Sequence, residues 1–150
     1  MGLEKEMMKP DKVQTDKNQD RGDDKNIFLR PDERIDDLQI QGFRIIQNPE
    51  KFCFGMDAVL LSDYAGIKKD SRVMDLCSGT GIVPILLEAK YEAKYIEGLE
   101  YQEDCVDMAR RSVSMNGLEG KIRMSAGDVR EVKEPVSYTH LRAHETLSDR

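Results

Sequence analysis

Residues 35–135 predict an α/β fold built on an open parallel sheet, and three observations carry the prediction. Short apolar runs alternate with longer segments of helical period. Glycine-bearing turns separate them. The order strand, helix, strand, helix, strand leaves consecutive strands no hairpin to join them, so they connect by right-handed crossovers and lie parallel.

The elements follow in order. Leu38–Gln47 reads as short extended segments that turn at Gly42. Asp57 stands ahead of Ala58-Val59-Leu60-Leu61 and is expected to cap a helix running to Tyr64. Gly66 and Lys68-Lys69-Asp70 mark a loop. Arg72–Leu76 is a short buried strand, Cys77–Gly81 a turn, and Ile82–Lys90 a helix that tolerates Pro84 only in its first turn. Tyr95–Glu100 is the next strand. Asp104–Asn116 is a helix with Val106, Ala109 and Val113 three and four residues apart, stopped by Asn116-Gly117. Lys121–Ser125 is the third strand of the alternation and leads to Gly127-Asp128.

Charge divides the chain differently. Charged residues make up 35% of it and the net charge is -6. Within residues 1–34, nine acids and eight Lys or Arg accompany few large apolar side chains, so this head is expected to be solvated and disordered. No apolar run approaches the roughly 20 residues of a membrane span, and the head has no apolar core of a secretory signal. Cys53, Cys77 and Cys105 are widely spaced without a CxxC, which fits a reduced cytoplasmic protein rather than a disulfide or zinc framework. The acidic balance offers no general footprint for nucleic acid.

Three features fall at the carboxyl ends of the three alternating strands, where open α/β sheets take ligands. Asp75-Leu76-Cys77-Ser78-Gly79-Thr80-Gly81 brings two glycines that let a ligand approach the backbone, ahead of a helix with unpaired N–H groups. Glu100, 25 residues after Asp75, is a carboxylate suited to both hydroxyls of a ribose. Asp128 can accept from an adenine amino group. Each is weak alone, since a strand-end acid is usually a solvated loop residue; together they point to a nucleoside-containing cofactor. A dinucleotide fingerprint would need glycine where Pro84 stands, and Asp75 would repel a pyrophosphate. It suits a cationic sulfonium with an α-amino group, so S-adenosylmethionine fits and NAD does not. Cys77 reads as a small filler of the loop.

Val73-Met74-Asp75-Leu76-Cys77-Ser78-Gly79-Thr80-Gly81-Ile82 resembles the first motif of class I S-adenosylmethionine-dependent methyltransferases. The run from Gly42 to Leu61, with Met108–Val113 and Asn116-Gly117-Leu118, is similar to the bacterial tRNA1(Val) (adenine-N6)-methyltransferase family. The likeness covers roughly Glu33 to Glu131. It implies a Rossmann-like class I methyltransferase fold, of which this chain would hold the N-terminal half of the parallel sheet only. It also implies tRNA as the partner, no metal, and a cofactor site of Asp75, Ser78, Gly79, Thr80, Gly81, Glu100 and Asp128, with Phe54-Gly55-Met56-Asp57 as a lid. Another N-methyltransferase, acting on rRNA or on a protein glutamine, would share this half.

The family's chemistry sits in an Asn-Pro-Pro-Tyr motif after a fourth strand, where it would hold and stack a flipped base. The nearest dipeptide, Asn48-Pro49, precedes the cofactor strand and reads as a turn. Val136–Thr146 instead resembles the in-frame translation of a transposase adapter used for sequencing libraries. Residues 136–150 are therefore expected to be foreign to the fold, including His140 and His144, whose spacing imitates a zinc pair. On that expectation the chain is a truncated, catalytically incomplete methyltransferase in which the far edge of strand Arg72–Leu76 has no neighbour. Sequencing the native gene past the codon for Pro135 should leave this tail and reach an Asn-Pro-Pro-Tyr or a close variant. Finding the tail itself in genomic DNA would sink the expectation.

Overall fold

The structure, a computed structural model, describes residues 25–51, 53–132 and the backbone of 139–142. Residues 1–24 of the head, Phe52, and tail residues 133–138 and 143–150 lie outside the described part.

A short helix α1 (Lys25–Phe28) leads to an antiparallel pair, β1 (Arg34–Asp37) and β2 (Arg44–Gln47). The Leu38 N–H donates to the Phe43 carbonyl at 2.9 Å and closes the loop between them. Left-handed backbone at Gln39, Gln41 and Gly42 makes the reversal. After α2 (Met56–Tyr64) the expected alternation follows: β3 (Arg72–Leu76), α3 (Ile82–Tyr91), β4 (Tyr95–Glu100), α4 (Glu103–Met115) and β5 (Ile122–Ala126). Strands β3, β4 and β5 run parallel, with Asp75 beside Gly98 and Gly98 beside Met124 in one cross-sheet row. The core gathers Val73, Ile85, Leu87, Ile96, Val106 and Ile122 between sheet and helices.

Helices α3 and α4 differ because their surroundings differ. Ile82 to Leu87 are all buried, which is why α3 reads as apolar on every side; α2 packs against it. In α4 the buried Val106, Ala109, Ser112 and Val113 make one stripe, and the opposite face is charged. That stripe also holds the hairpin. Ile46 N–H donates to Ser112 Oγ at 2.9 Å. The Asn116 amide accepts from Arg44 N–H and donates to Arg44 C=O, as a neighbouring strand would. Asn116 therefore joins two elements as well as ending a helix, while Gly117 takes the left-handed backbone that follows.

Three expectations are corrected here. Asp57 does not cap α2: Gly55 occupies the N-cap, no side chain caps the helix, and Asp57 lies in the first turn. Its charge still suits the helix N-terminus. Part of the head is structured, because Glu33 and Arg30 find partners on α4. Arg111 grips Glu33 through both terminal nitrogens, at 2.6 and 2.7 Å, and also bonds the Phe28 carbonyl; Arg30 pairs with Asp107 at 2.8 Å. The far edge of β3 is covered by β6 (Thr139–Arg142), which lies parallel to it with Leu141 opposite Asp75. An uncovered strand edge presents a row of unmade hydrogen bonds, and an extended segment downstream satisfies them whatever its origin.

The Glu33 side chain is only 7% exposed, so Glu33→Gln or Arg111→Ala should lower stability by about 1–3 kcal/mol in urea unfolding at pH 7. Arg111 holds the Glu33 carboxyl below its ordinary 4.5. The contribution is thus complete above pH 4.5 and fades as pH falls through the lowered value, so the gap between wild type and E33Q should narrow steadily below pH 4.5.

Candidate functional site

The turn after β3 packs its backbone tightly. Ser78 N–H donates to Leu99 C=O on β4, and Gly81 N–H donates to Ser78 C=O, both at 3.0 Å. Gly81 caps α3 at φ +80°, and a Cβ there would stand 3.1 Å from the Ala109 Cβ of α4. Only glycine meets both conditions. Cys77 is also left-handed, at φ +61°, and its side chain is exposed. It does not fill the loop as expected; the buried residues of the turn are Ser78 and Thr80.

Asp75 is 1% exposed. Its Oδ2 accepts from Ser78 Oγ at 2.6 Å, while Oδ1 is buried and bonded to no described group. Burial is the main reason its carboxyl is pushed up to about 7; the negative charge of Glu100 acts in the same direction and the Ser78 hydrogen bond against it. Glu100, 6% exposed, accepts from Gly79 N–H through Oε2 and from Gln102 N–H through Oε1, both at 2.8 Å. Each oxygen keeps a second lone pair. Gly127 N–H bonds the Glu100 carbonyl at 2.9 Å and brings the end of β5 alongside. Asp128 follows there and starts a 3-10 turn, Val129–Glu131. Both its oxygens are engaged by Arg130, whose guanidinium holds the carboxyl down at about 2.

The structure thus brings Asp75, Ser78, Gly79, Gly81 and Glu100 into one bonded network, with Thr80 buried in the same turn. Asp128 stands on the adjoining strand end but is committed to an arginine. One residue of the site escaped the sequence reading. Gly98 faces Ser78 across the sheet: a Cβ on it would lie 2.7 Å from Ser78 Oγ and 2.6 Å from the Met124 sulfur. A glycine inside a strand pattern is the signal that could have revealed it.

Residues 56–141 match the methyltransferase small domain family. The chain belongs to that family. A tRNA1(Val) (adenine(37)-N6)-methyltransferase of Tolumonas auensis is 24% identical over 94 residues, which cover 62% of this chain and 40% of that protein. A ribosomal protein uL3 glutamine methyltransferase of Bordetella pertussis is 24% identical over 67 residues, 45% of this chain and 22% of its own length. The structure of M. jannaschii TYW2 in complex with AdoMet aligns with a TM-score of 0.58 at 18% identity, over 69% of this chain and 47% of that one. The chain spans less than half the length of each. These likenesses bear out the Rossmann-like methyltransferase fold expected from the sequence. The family uses S-adenosylmethionine, the cofactor that the polarity of Asp75 favoured over NAD. Its match runs to residue 141, into the segment expected to be foreign. Among the described residues no helix is long and apolar enough to cross a membrane.

The sign of Asp75's effect on stability follows from its environment. The folded state holds the Asp75 proton more tightly than the unfolded chain does, so stability falls as pH rises from 3.8 to about 7. The displacement corresponds to roughly 4 kcal/mol at most. Asp75→Asn keeps an acceptor for Ser78 and removes the charge, so it should raise the melting temperature at pH 8 and leave it nearly unchanged at pH 4. Scanning calorimetry at the two pH values reads both.

Proposed function

We propose that the protein carrying this chain transfers a methyl group from S-adenosylmethionine to N6 of an adenine in tRNA. One observation carries the RNA half of the reading. The likeness to the T. auensis tRNA enzyme spans 94 residues, so it reaches well outside the 60 residues from Arg72 to Glu131 that hold the cofactor site. The likeness to the glutamine methyltransferase spans 67. A protein glutamine substrate is the second reading, and that relative is what favours it.

The site's fit to the cofactor rests on the Asp75 oxygen. A buried carboxylate oxygen with no partner is expensive alone and is relieved by a cation. Asp75 would face the positively charged methionine end. Gly79 and Gly81 would line it with backbone, and the remaining lone pairs of Glu100 would accept the ribose hydroxyls. Asp128, kept ionised by Arg130, would accept from the adenine amino group. Phe54 is half-buried, its N–H held by Gln47 Oε1 at 2.9 Å, and the exposed Met56 follows it; this segment would cover the site. When bound, S-adenosylmethionine supplies an activated methyl group on sulfur. The chain's own residues orient it and exclude water, so their contribution is positioning.

Calorimetry at pH 8 should show binding of S-adenosylmethionine and none of NAD. Asp75→Asn should weaken it roughly 10- to 100-fold, the worth of a charge-assisted hydrogen bond, and Glu100→Gln by about tenfold. Because capture needs the ionised Asp75, affinity should fall as pH drops through about 7. For the substrate, labelled methyl should appear as N6-methyladenosine in a tRNA1(Val) transcript and vanish when the target adenine is replaced. Label in ribosomal protein uL3 instead would overturn the tRNA reading in favour of the second.

A further inference from the structure

We propose that Ser78 and Gly98 form a clamp that fixes the Asp75 carboxyl group, making Ser78 a positioning residue for cofactor capture rather than a cofactor contact. The inference rests on the reading of this site as the S-adenosylmethionine site. Ser78 is 5% exposed and anchored three times: its N–H by Leu99, its carbonyl by Gly81, its hydroxyl by Asp75. A serine hydroxyl has one proton to donate, and this one is spent on Asp75 Oδ2 at 2.6 Å. That bond sets the rotation of the carboxyl group and leaves Oδ1 as the oxygen that is buried without a partner. The ligand-facing atom is thus chosen by Ser78.

Gly98 makes the arrangement possible. It lies in register with Asp75 on one side and Met124 on the other, and any side chain would enter the space of the Ser78 hydroxyl. A strand interior disfavours glycine relative to alanine, so its use here reflects that space. Among the described residues, Glu100 at the end of β4 is the titratable group whose charge bears on Asp75. The register partners Gly98 and Leu141 carry none. Glu100 opposes ionisation of Asp75 and the Ser78 hydrogen bond favours it. Without the hydroxyl, the neutral form of Asp75 persists to higher pH.

The test is the affinity of the 150-residue chain for S-adenosylmethionine, measured by calorimetry between pH 5.5 and 8.5, in wild type, Ser78→Ala and Gly98→Ala. Ser78→Ala should lower affinity about tenfold at pH 7 and move the midpoint of its pH dependence upward by about one pH unit. Gly98→Ala keeps the hydroxyl and every titratable group but crowds Ser78 off Asp75, so it should shift the midpoint the same way. The double variant should shift it no further than the larger single one. A serine that only packed the turn would change affinity without moving the midpoint. A midpoint that stays in place in whichever variant folds, with wild type binding normally, overturns the clamp alone. Absence of cofactor binding by folded wild type at any pH overturns the reading of the site, and the clamp with it.

Discussion

A carboxylate buried in a parallel sheet with one oxygen unsatisfied is the constraint around which this domain is arranged. Asp75 belongs to β3, and its register partners are a glycine and a leucine rather than a cation. Burying such a group opposes folding unless something else offsets it. The offset comes from the apolar core on either side, where Val73, Ile85, Leu87, Ile96 and Val106 are almost wholly out of water. The sheet therefore tolerates at one position what it would reject at most others. Strained polar positions of this kind mark sites where function and stability pull apart.

Glu100 shows how the second carboxylate is handled differently. It is nearly as buried as Asp75, yet each oxygen has a backbone N–H to accept from, Gly79 on the turn and Gln102 on its own chain. The same charge that would orient a ribose thus holds the glycine turn in place before any ligand arrives. One residue builds the loop and offers acceptors to it. Asp128 is built in a third way, with an exposed arginine folded back over both oxygens. The three acids are equally visible as strand-end carboxylates, but their chemical states differ because their surroundings do.

That difference explains what could be read from the chain beforehand. The strands and helices from Arg72 onward were legible because period and punctuation are local properties. The β4 strand, Tyr95–Glu100, coincides with its expected span. The site residues were legible as types at spacings. Their partners were not: nothing near Glu33 announces Arg111, and nothing near Arg44 announces Asn116, because those contacts form between segments more than 70 residues apart. A charged head was read as solvated on composition alone, and composition cannot see a buried bidentate ion pair. Gly98 was missed for the same reason, since its meaning lies in a hydroxyl in the turn that follows β3.

Helix α4 then links the two regions that matter most. Its Ala109 packs against Gly81 in the turn after β3, while Ser112 and Asn116 carry the β1–β2 hairpin and Arg111 holds Glu33. Lys51, in the segment that carries the family resemblance upstream of the sheet, pairs with Asp104 at the start of the same helix. The upstream segment and the glycine turn after β3 do not need to touch to be placed relative to each other; each is registered against α4. A shift of that helix by a fraction of an ångström would meet Gly81 directly, because no side chain stands between the turn and Ala109. The absence of a Cβ at residue 81 makes the helix part of the site's geometry, and it extends the constraint set by Asp75 out to the N-terminal segment.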